Sequence, residues 1–209
     1  MQTVSILDYG AGNLTSVRLA FERLGANPLQ CADAAEIAPD GPIVFPGVGS
    51  AASGMAALLA RGFDQALREA VAQQRPVLGI CLGMQLLFQH SEEDGGTPAL
   101  GILHGTVELF QFPGHPELKV PEMGWNAVAF ATPPHPVFQG IPDGTPFYFV
   151  HSYYCHAADP AIIAGTTEYG GLHFTSSAAQ GSLVATQFHP ERSGEAGMQL
   201  LQNFLATEA

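Results

Sequence analysis

With 209 residues, 46% of them apolar, the chain is long enough to bury one substantial core and short for two. Nineteen acidic against seven basic residues give a formal charge of −12, which repels phosphate backbones and argues against nucleic-acid binding. No apolar run approaches a membrane-spanning length, the first residues lack the basic start of a secretory signal, and the three cysteines (Cys31, Cys81 and Cys155) show no metal-pair spacing, so free thiols in a reducing cytoplasm are expected.

Residues 4–9 form a short β-rich run that ends in a turn at Gly10, Ala11 and Gly12. Asn13 suits a helix N-cap, and Leu14, Val17, Ala20, Phe21 and Leu24 then recur at helical spacing up to Gly25, where a C-terminal glycine belongs. Cys31 reads as a packing residue near a loop. Residues 43–45 are the next buried strand, broken by Pro46, Gly47, Val48 and Gly49. A helical stretch from about Gly54 to Gln74 follows, interrupted near Gly62, and residues 76–80 make a third strand that runs straight into Cys81. Residues 82–90 then read as a helix.

Strands alternating with helices over short connections imply a parallel sheet covered on both faces. The second half differs, with strand candidates at 107–110, 128–130, 147–154, 162–165 and 183–188, antiparallel or mixed with the main sheet. Cys155 ends the aromatic run among these and reads as packing. Residues 195–207 form a final helix with Met198, Leu201, Phe204 and Leu205 on one face. No repeat or linker divides the chain. The expected fold is one α/β domain over residues 1–209, its central sheet mostly parallel and flanked by helices, with additional antiparallel strands in the second half.

The most informative segment is Gly79-Ile80-Cys81-Leu82-Gly83. It has the spacing of a nucleophile elbow, in which small residues two places either side let the backbone turn tightly beneath the reactive group. Glycines on both sides of a given cysteine arise by chance in about 1% of cases at this glycine content, and the strand-before, helix-after context narrows that further. The first amides of the following helix, Leu82 foremost, lack intrahelical partners and suit an oxyanion.

A cysteine nucleophile needs a base, and the base needs an orienting group. His189, in Gln187-Phe188-His189-Pro190-Glu191, meets both needs. It ends a strand, Pro190 keeps it extended, and in extended chain Glu191 at i+2 lies on the same side as the imidazole. His151 is the rival base, but no acid follows it at i+2. The glycines of the 46–49 loop allow close backbone approach to a substrate, and an N–H at Val48 or Gly49 suits a second oxyanion donor.

Together these residues resemble the class I (triad) glutamine amidotransferases, and the resemblance spans essentially the whole chain. Within that family the chain is similar to the glutaminase subunits of imidazole glycerol phosphate synthase. The similarity is carried by Asp8-Tyr9-Gly10-Ala11-Gly12-Asn13, Pro46-Gly47-Val48-Gly49-Ser50, Cys81-Leu82-Gly83-Met84-Gln85, Met123-Gly124-Trp125-Asn126, His151-Ser152-Tyr153-Tyr154 and His189-Pro190-Glu191-Arg192-Ser193.

The resemblance implies that Cys81, His189 and Glu191 are catalytic. It also implies that Gln85, Glu93, Gly49, Ser152 and Tyr153 hold L-glutamine, and that ammonia passes to a (β/α)8-barrel cyclase in a heterodimer serving histidine synthesis. On the residues alone Trp125 is as suited to a core as to a function; the family places its segment near the partner. Glutaminases of other syntheses and a catalytically silent scaffold are the alternatives. Two departures from the family pattern are Glu122, where histidine is usual, and Arg192, where lysine is usual. No metal or phosphate signature occurs, so no cofactor is expected.

Overall fold

The computed structural model describes residues 1–10 and 14–207; Ala11, Gly12 and Asn13, on which the first turn and helix cap were placed, lie outside them. Strand β1 (Thr3–Leu7) leads to helix α1 (Leu14–Arg23), which buries Leu14, Val17, Ala20 and Phe21 as their spacing requires. The helix stops at Gly25, at φ 77°. Its N–H donates to the Glu22 carbonyl (3.0 Å) and that of Ala26 to Phe21 (3.1 Å), the paired bonds of a left-handed glycine stop.

Strand β2 (Asn27–Cys31) occupies a stretch whose sequence reads as loop, so Cys31 closes a strand rather than flanking a turn. Pro28 cannot donate to a ladder and three of the five residues are exposed. Such a sequence is tolerated because β2 lies at the edge of the sheet, beside β1. Strand β3 (Ile43–Gly47) is followed by α2 (Ala51–Ala60) and α3 (Phe63–Ala72), which Gly62, at φ 70°, separates as expected. Strand β4 (Val77–Cys81) runs directly into α4 (Leu82–Leu87). That helix ends three residues earlier than the sequence suggests. The carbonyls of Leu86, Leu87 and Phe88 accept from N–H groups of residues 100–103, so tertiary partners replace a further helical turn.

The remaining strands are β5 (His90–Ser91), β6 (Thr97–Pro98), β7 (Gly105–Leu109), β8 (Glu122–Ala127), β9 (Ala129–Phe130), β10 (Pro146–His151), β11 (Tyr153–Ala157), β12 (Ile163–Tyr169), β13 (Leu172–Gln180) and β14 (Leu183–Thr186), with α5 (Gly194–Leu205) last. The large sheet runs β2-β1-β3-β4-β14-β13-β11-β7-β5-β6. Its β2-to-β14 half is parallel, and antiparallel pairing begins at β13. Strands β8 and β10 form a separate antiparallel pair.

Four of these strands depart from the sequence reading. The run 147–154 is divided at Ser152 between β10 and β11, which belong to different sheets. Strand β13 buries Thr175, Ser176 and Ser177, small polar residues that carry little strand signal. Strand β8 turns Met123 and Trp125 outward, 66% and 58% exposed, so Trp125 is not a core residue.

The period-2 alternation of the strands divides the interior into two cores. Val4, Ile6, Val44, Leu78, Ile80 and Val184 face one way, against α1, α5 and the β8–β10 pair. Leu7, Ile43, Phe45, Val77, Leu183 and Ala185 face the other, against α2, α3 and α4. Helices thus cover both faces of a sheet whose two central parallel strands, β3 and β4, are wholly apolar, a three-layer α/β arrangement. In α5, Leu200, Leu201 and Phe204 are buried, while Met198 and Leu205 pack at the margin.

Candidate active site

Parallel pairing sets Gly47 of β3 directly opposite Cys81 of β4, and Thr186 of β14 opposite Ile80. The 46–49 loop, Cys81 and the 187–191 segment therefore gather at the carboxyl ends of adjacent strands, where open α/β sheets form their sites.

Cys81 sits at φ 55°, ψ −112°, a strained conformation for a residue with a side chain and the geometry of a strand-to-helix elbow. The flanking glycines explain how the strain is held. A Cβ on Gly83 would lie 1.8 Å from the Phe45 carbonyl oxygen, so α4 can cross β3 at this distance only on glycine. At Gly79 the nearest atom, at 2.8 Å, is the tip of the Leu87 side chain, a softer constraint. A Cβ on Gly47 would meet the Tyr9 hydroxyl at 2.0 Å.

His189 follows β14 in extended conformation, and its N–H donates to the Tyr148 carbonyl (2.9 Å). The Ser193 hydroxyl donates to the His189 carbonyl (2.7 Å) and accepts from the Tyr148 N–H (3.0 Å), which fixes the segment against β10. His189 Nδ1 lies 2.9 Å from Glu191 Oε1, and both side chains are buried. A carboxylate only accepts, so the proton is on Nδ1 and Nε2 is left for the thiol. Nε2 is buried with no partner at hydrogen-bond geometry, yet within interaction range of Cys81. Burial works against the imidazolium, but Cys81 and Glu191 outweigh it and push His189 up to about 10.

A cleft of about 280 Å³ opens beside Cys81 and is lined by all seven remaining residues singled out from the sequence. Val48 and Gly49 form one lip, and Gly49, at φ 112°, has open space about it. Leu82 begins α4 and Gln85 lies one turn on, its Nε2 donating to the Tyr153 carbonyl (2.9 Å). Ser152 and Tyr153 line the opposite wall, at the junction of β10 and β11. Glu93 is less free than its sequence suggests: its Oε2 accepts from the Ala51 N–H (2.7 Å) at the start of α2. Asp94 accepts likewise from Ala52 (3.1 Å). Desolvation raises the Glu93 carboxyl, and the Ala51 N–H partly offsets it.

No acid stands at i+2 of His151, but strand register supplies one from the neighbouring strand. Glu122 of β8 stands directly opposite His151 of β10, and its Oε2 lies 3.1 Å from Nε2. His151 Nδ1 lies 2.7 Å from the Tyr153 carbonyl, so the ring bridges the two sheets. Glu122 is thereby a buried partner of His151, and Arg192 lies 4.8 Å over the ring of Tyr148. Gln187, to which sequence reasoning gives no role, is wholly buried with its Nε2 3.8 Å from Cys81 Sγ. Cys155 is buried too, 3.8 Å from Gln187 Oε1. The signal for both was weak: a polar residue two before the base, and a cysteine inside an apolar strand. Among the described residues no cluster of three or more His, Cys, Asp or Glu is arranged to hold a metal ion.

Residues 5–207 match the family model described as glutamine amidotransferase class-I. The chain is 49% identical to the imidazole glycerol phosphate synthase subunit HisH of Pseudomonas putida, over 99% of this chain and 98% of that protein. It is 48% identical to the protein of the same name from Dehalococcoides mccartyi, over 96% and 95%. Among solved structures, a crystal structure of glutamine amidotransferase superposes with a TM-score of 0.74 at 18% identity, covering 97% of each chain. The structure of PurLQS from Thermotoga maritima gives 0.75 at 17% identity over 99% of each; at such identities these two speak for the fold alone.

Proposed function

The chain belongs to the class I glutamine amidotransferases, and from that premise we propose that it is the glutaminase subunit of an imidazole glycerol phosphate synthase. It hydrolyses L-glutamine to glutamate and ammonia, and the ammonia serves a cyclase subunit in histidine biosynthesis. The observation that carries the chemistry is the strained Cys81 elbow, facing a His189–Glu191 pair at the edge of a cleft of amino-acid size. The near-full-length likeness to HisH proteins carries the pathway.

In the proposed reaction the Cys81 thiolate attacks the carboxamide carbon of glutamine, and the C=O electron pair moves onto oxygen. N–H groups of Leu82 and of the Val48–Gly49 loop hold that oxyanion. His189 gives its Nε2 proton to the leaving nitrogen, ammonia departs, and a γ-glutamyl thioester remains. The neutral His189 then takes a proton from water, hydroxide adds to the thioester carbon, and collapse releases glutamate and the Cys81 thiolate. Glu191 keeps Nδ1 protonated throughout and stabilises each imidazolium state. Gln85, Glu93, Ser152 and Tyr153 hold the amino-acid end of the substrate. The partner is a (β/α)8-barrel cyclase, bound as a heterodimer in the cytoplasm.

Glutamate release, measured for the purified chain alone and with a nucleotide-liganded cyclase subunit, tests the reading. Strong stimulation by the liganded cyclase is the expected result. Cys81→Ala should abolish glutamine-dependent synthesis while the complex still works with added ammonium salt. Glutamine use retained by that variant would remove Cys81 from the mechanism, and hydrolysis indifferent to the cyclase would move the chain to another synthase.

A further inference from the structure

Beside the nucleophile lies a buried amide that the reaction above does not use. The side chain of Gln187 reaches Cys81 Sγ with Nε2 (3.8 Å), Gln85 Nε2 with Oε1 (3.1 Å) and Cys155 Sγ with the same Oε1 (3.8 Å). The orientation of both amides follows from one fixed point. The Tyr153 main-chain oxygen can only accept, so the Gln85 group 2.9 Å from it is the NH2. That same NH2 faces Gln187, which must present its oxygen there. The Gln187 NH2 is therefore left facing Cys81.

The surroundings of Cys81 Sγ offer two arrangements. As a thiol, the sulfur can donate to the Val150 carbonyl, 3.9 Å away. As a thiolate it can only accept, and the donors it meets are Gln187 Nε2 and protonated His189. The other titratable groups that interact with it, Tyr9 and Cys155, are both pushed up by burial and stay neutral. Cys155 thus keeps its S–H, which donates to Gln187 Oε1 and completes the lock on the amide. A donor held in place before the reaction needs no rearrangement as charge collects on sulfur.

We propose that Gln187 is a positioning residue for the nucleophile: its amide N–H holds the Cys81 sulfur as thiolate, and Gln85 and Cys155 together hold that amide in the donating orientation. The inference rests on Cys81 being the nucleophile. It extends the working unit from three residues to six and joins the glutamine cleft, through Gln85, to the charge state of the sulfur.

The test is the pH dependence of Cys81 alkylation by iodoacetamide in the full chain, read by peptide mass and paired with kcat and KM for glutamine hydrolysis. Gln187→Met removes the N–H donor, and Gln187→Glu keeps the shape while replacing the amide with a carboxyl group. Both should move the alkylation profile to higher pH, by about one unit for Gln187→Met, and lower kcat at neutral pH about tenfold. Should Gln187→Met not fold, the near-isosteric Gln187→Glu carries the same readout. Folded variants whose alkylation profiles superimpose on the parent's would overturn the inference, since a merely structural role leaves the profile in place. Failure of the underlying reading looks different: there Cys81→Ala retains glutamine hydrolysis, whatever the Gln187 variants do.

Discussion

A cysteine at φ 55° is held there by its neighbours rather than by its own preference, and the same is true of the charge on His189. Glu191→Gln keeps the shape of the pair but removes the carboxylate that stabilises imidazolium. Its kcat should fall by about two orders of magnitude with KM little changed, as steady-state kinetics would show. The raised His189 value also makes a claim about stability. The folded state holds a proton that the unfolded chain releases near 6.5, so the stabilisation is complete below that pH and is lost as pH rises towards about 10. Urea midpoints of the parent and of His189→Asn should therefore differ most below pH 6.5 and converge across that window. At this scale the sequence is most legible where partners are close in the chain. His189 and Glu191 are two apart and could be paired by eye, although only His189 is extended and Glu191 lies in the 3-10 turn Pro190–Arg192 rather than on a continuing strand. Glu122 and His151 meet through cross-strand register, and Gln187 reaches Cys81 across two strands; neither contact has a local sequence sign.

Elements are held by backbone fit as much as by apolar periodicity, and two glycines separate the contributions. Gly25 has open space about it, so Gly25→Ala meets only the cost of a left-handed residue, about 1 kcal/mol. Gly83→Ala drives a methyl group into the Phe45 carbonyl and should cost about 3 kcal/mol, displacing the elbow and with it the activity. Denaturant unfolding of the two variants measures the difference. Within the parallel half, β3 and β4 were readable as continuous apolar runs bounded by turns, and β1 as a β-rich run in which only Ser5 interrupts the apolar residues 4–7. Strands β2, β8 and β13 were not, for three reasons: an exposed proline-bearing edge, apolar residues turned outward, and buried residues that are small and polar. The division at Ser152 is invisible in an unbroken apolar run, because which sheet each half joins is decided by distant partners.

For the whole molecule, the exposed Met123 and Trp125 of β8 follow directly after Pro121, which lines the cleft, and Val48 lies exposed at the other lip. An apolar surface beside the reactive cysteine, on a chain otherwise strongly acidic, is where a partner that receives ammonia would sit. Trp125→Ala should weaken binding to the cyclase subunit about tenfold in a titration, while the urea midpoint of the free chain stays unchanged. The expectation of one α/β fold with a parallel half and an antiparallel half held because that division follows from chain-wide alternation. The exposure of Met123 and Trp125 could not be read in this way, since tryptophan and methionine are common in cores.

The arrangement of the three thiols also decides what oxidation does to this protein. A sulfenic acid on Cys81 is reversed quickly only where a second thiol can condense with it. Cys31 lies on the edge strand, and the Gln187 amide stands between Cys81 and Cys155. Cys81 lines the cleft, so under the proposed reaction repair would call on a small external thiol entering there, and glutamine bound in the same cleft would shield the sulfur from peroxide.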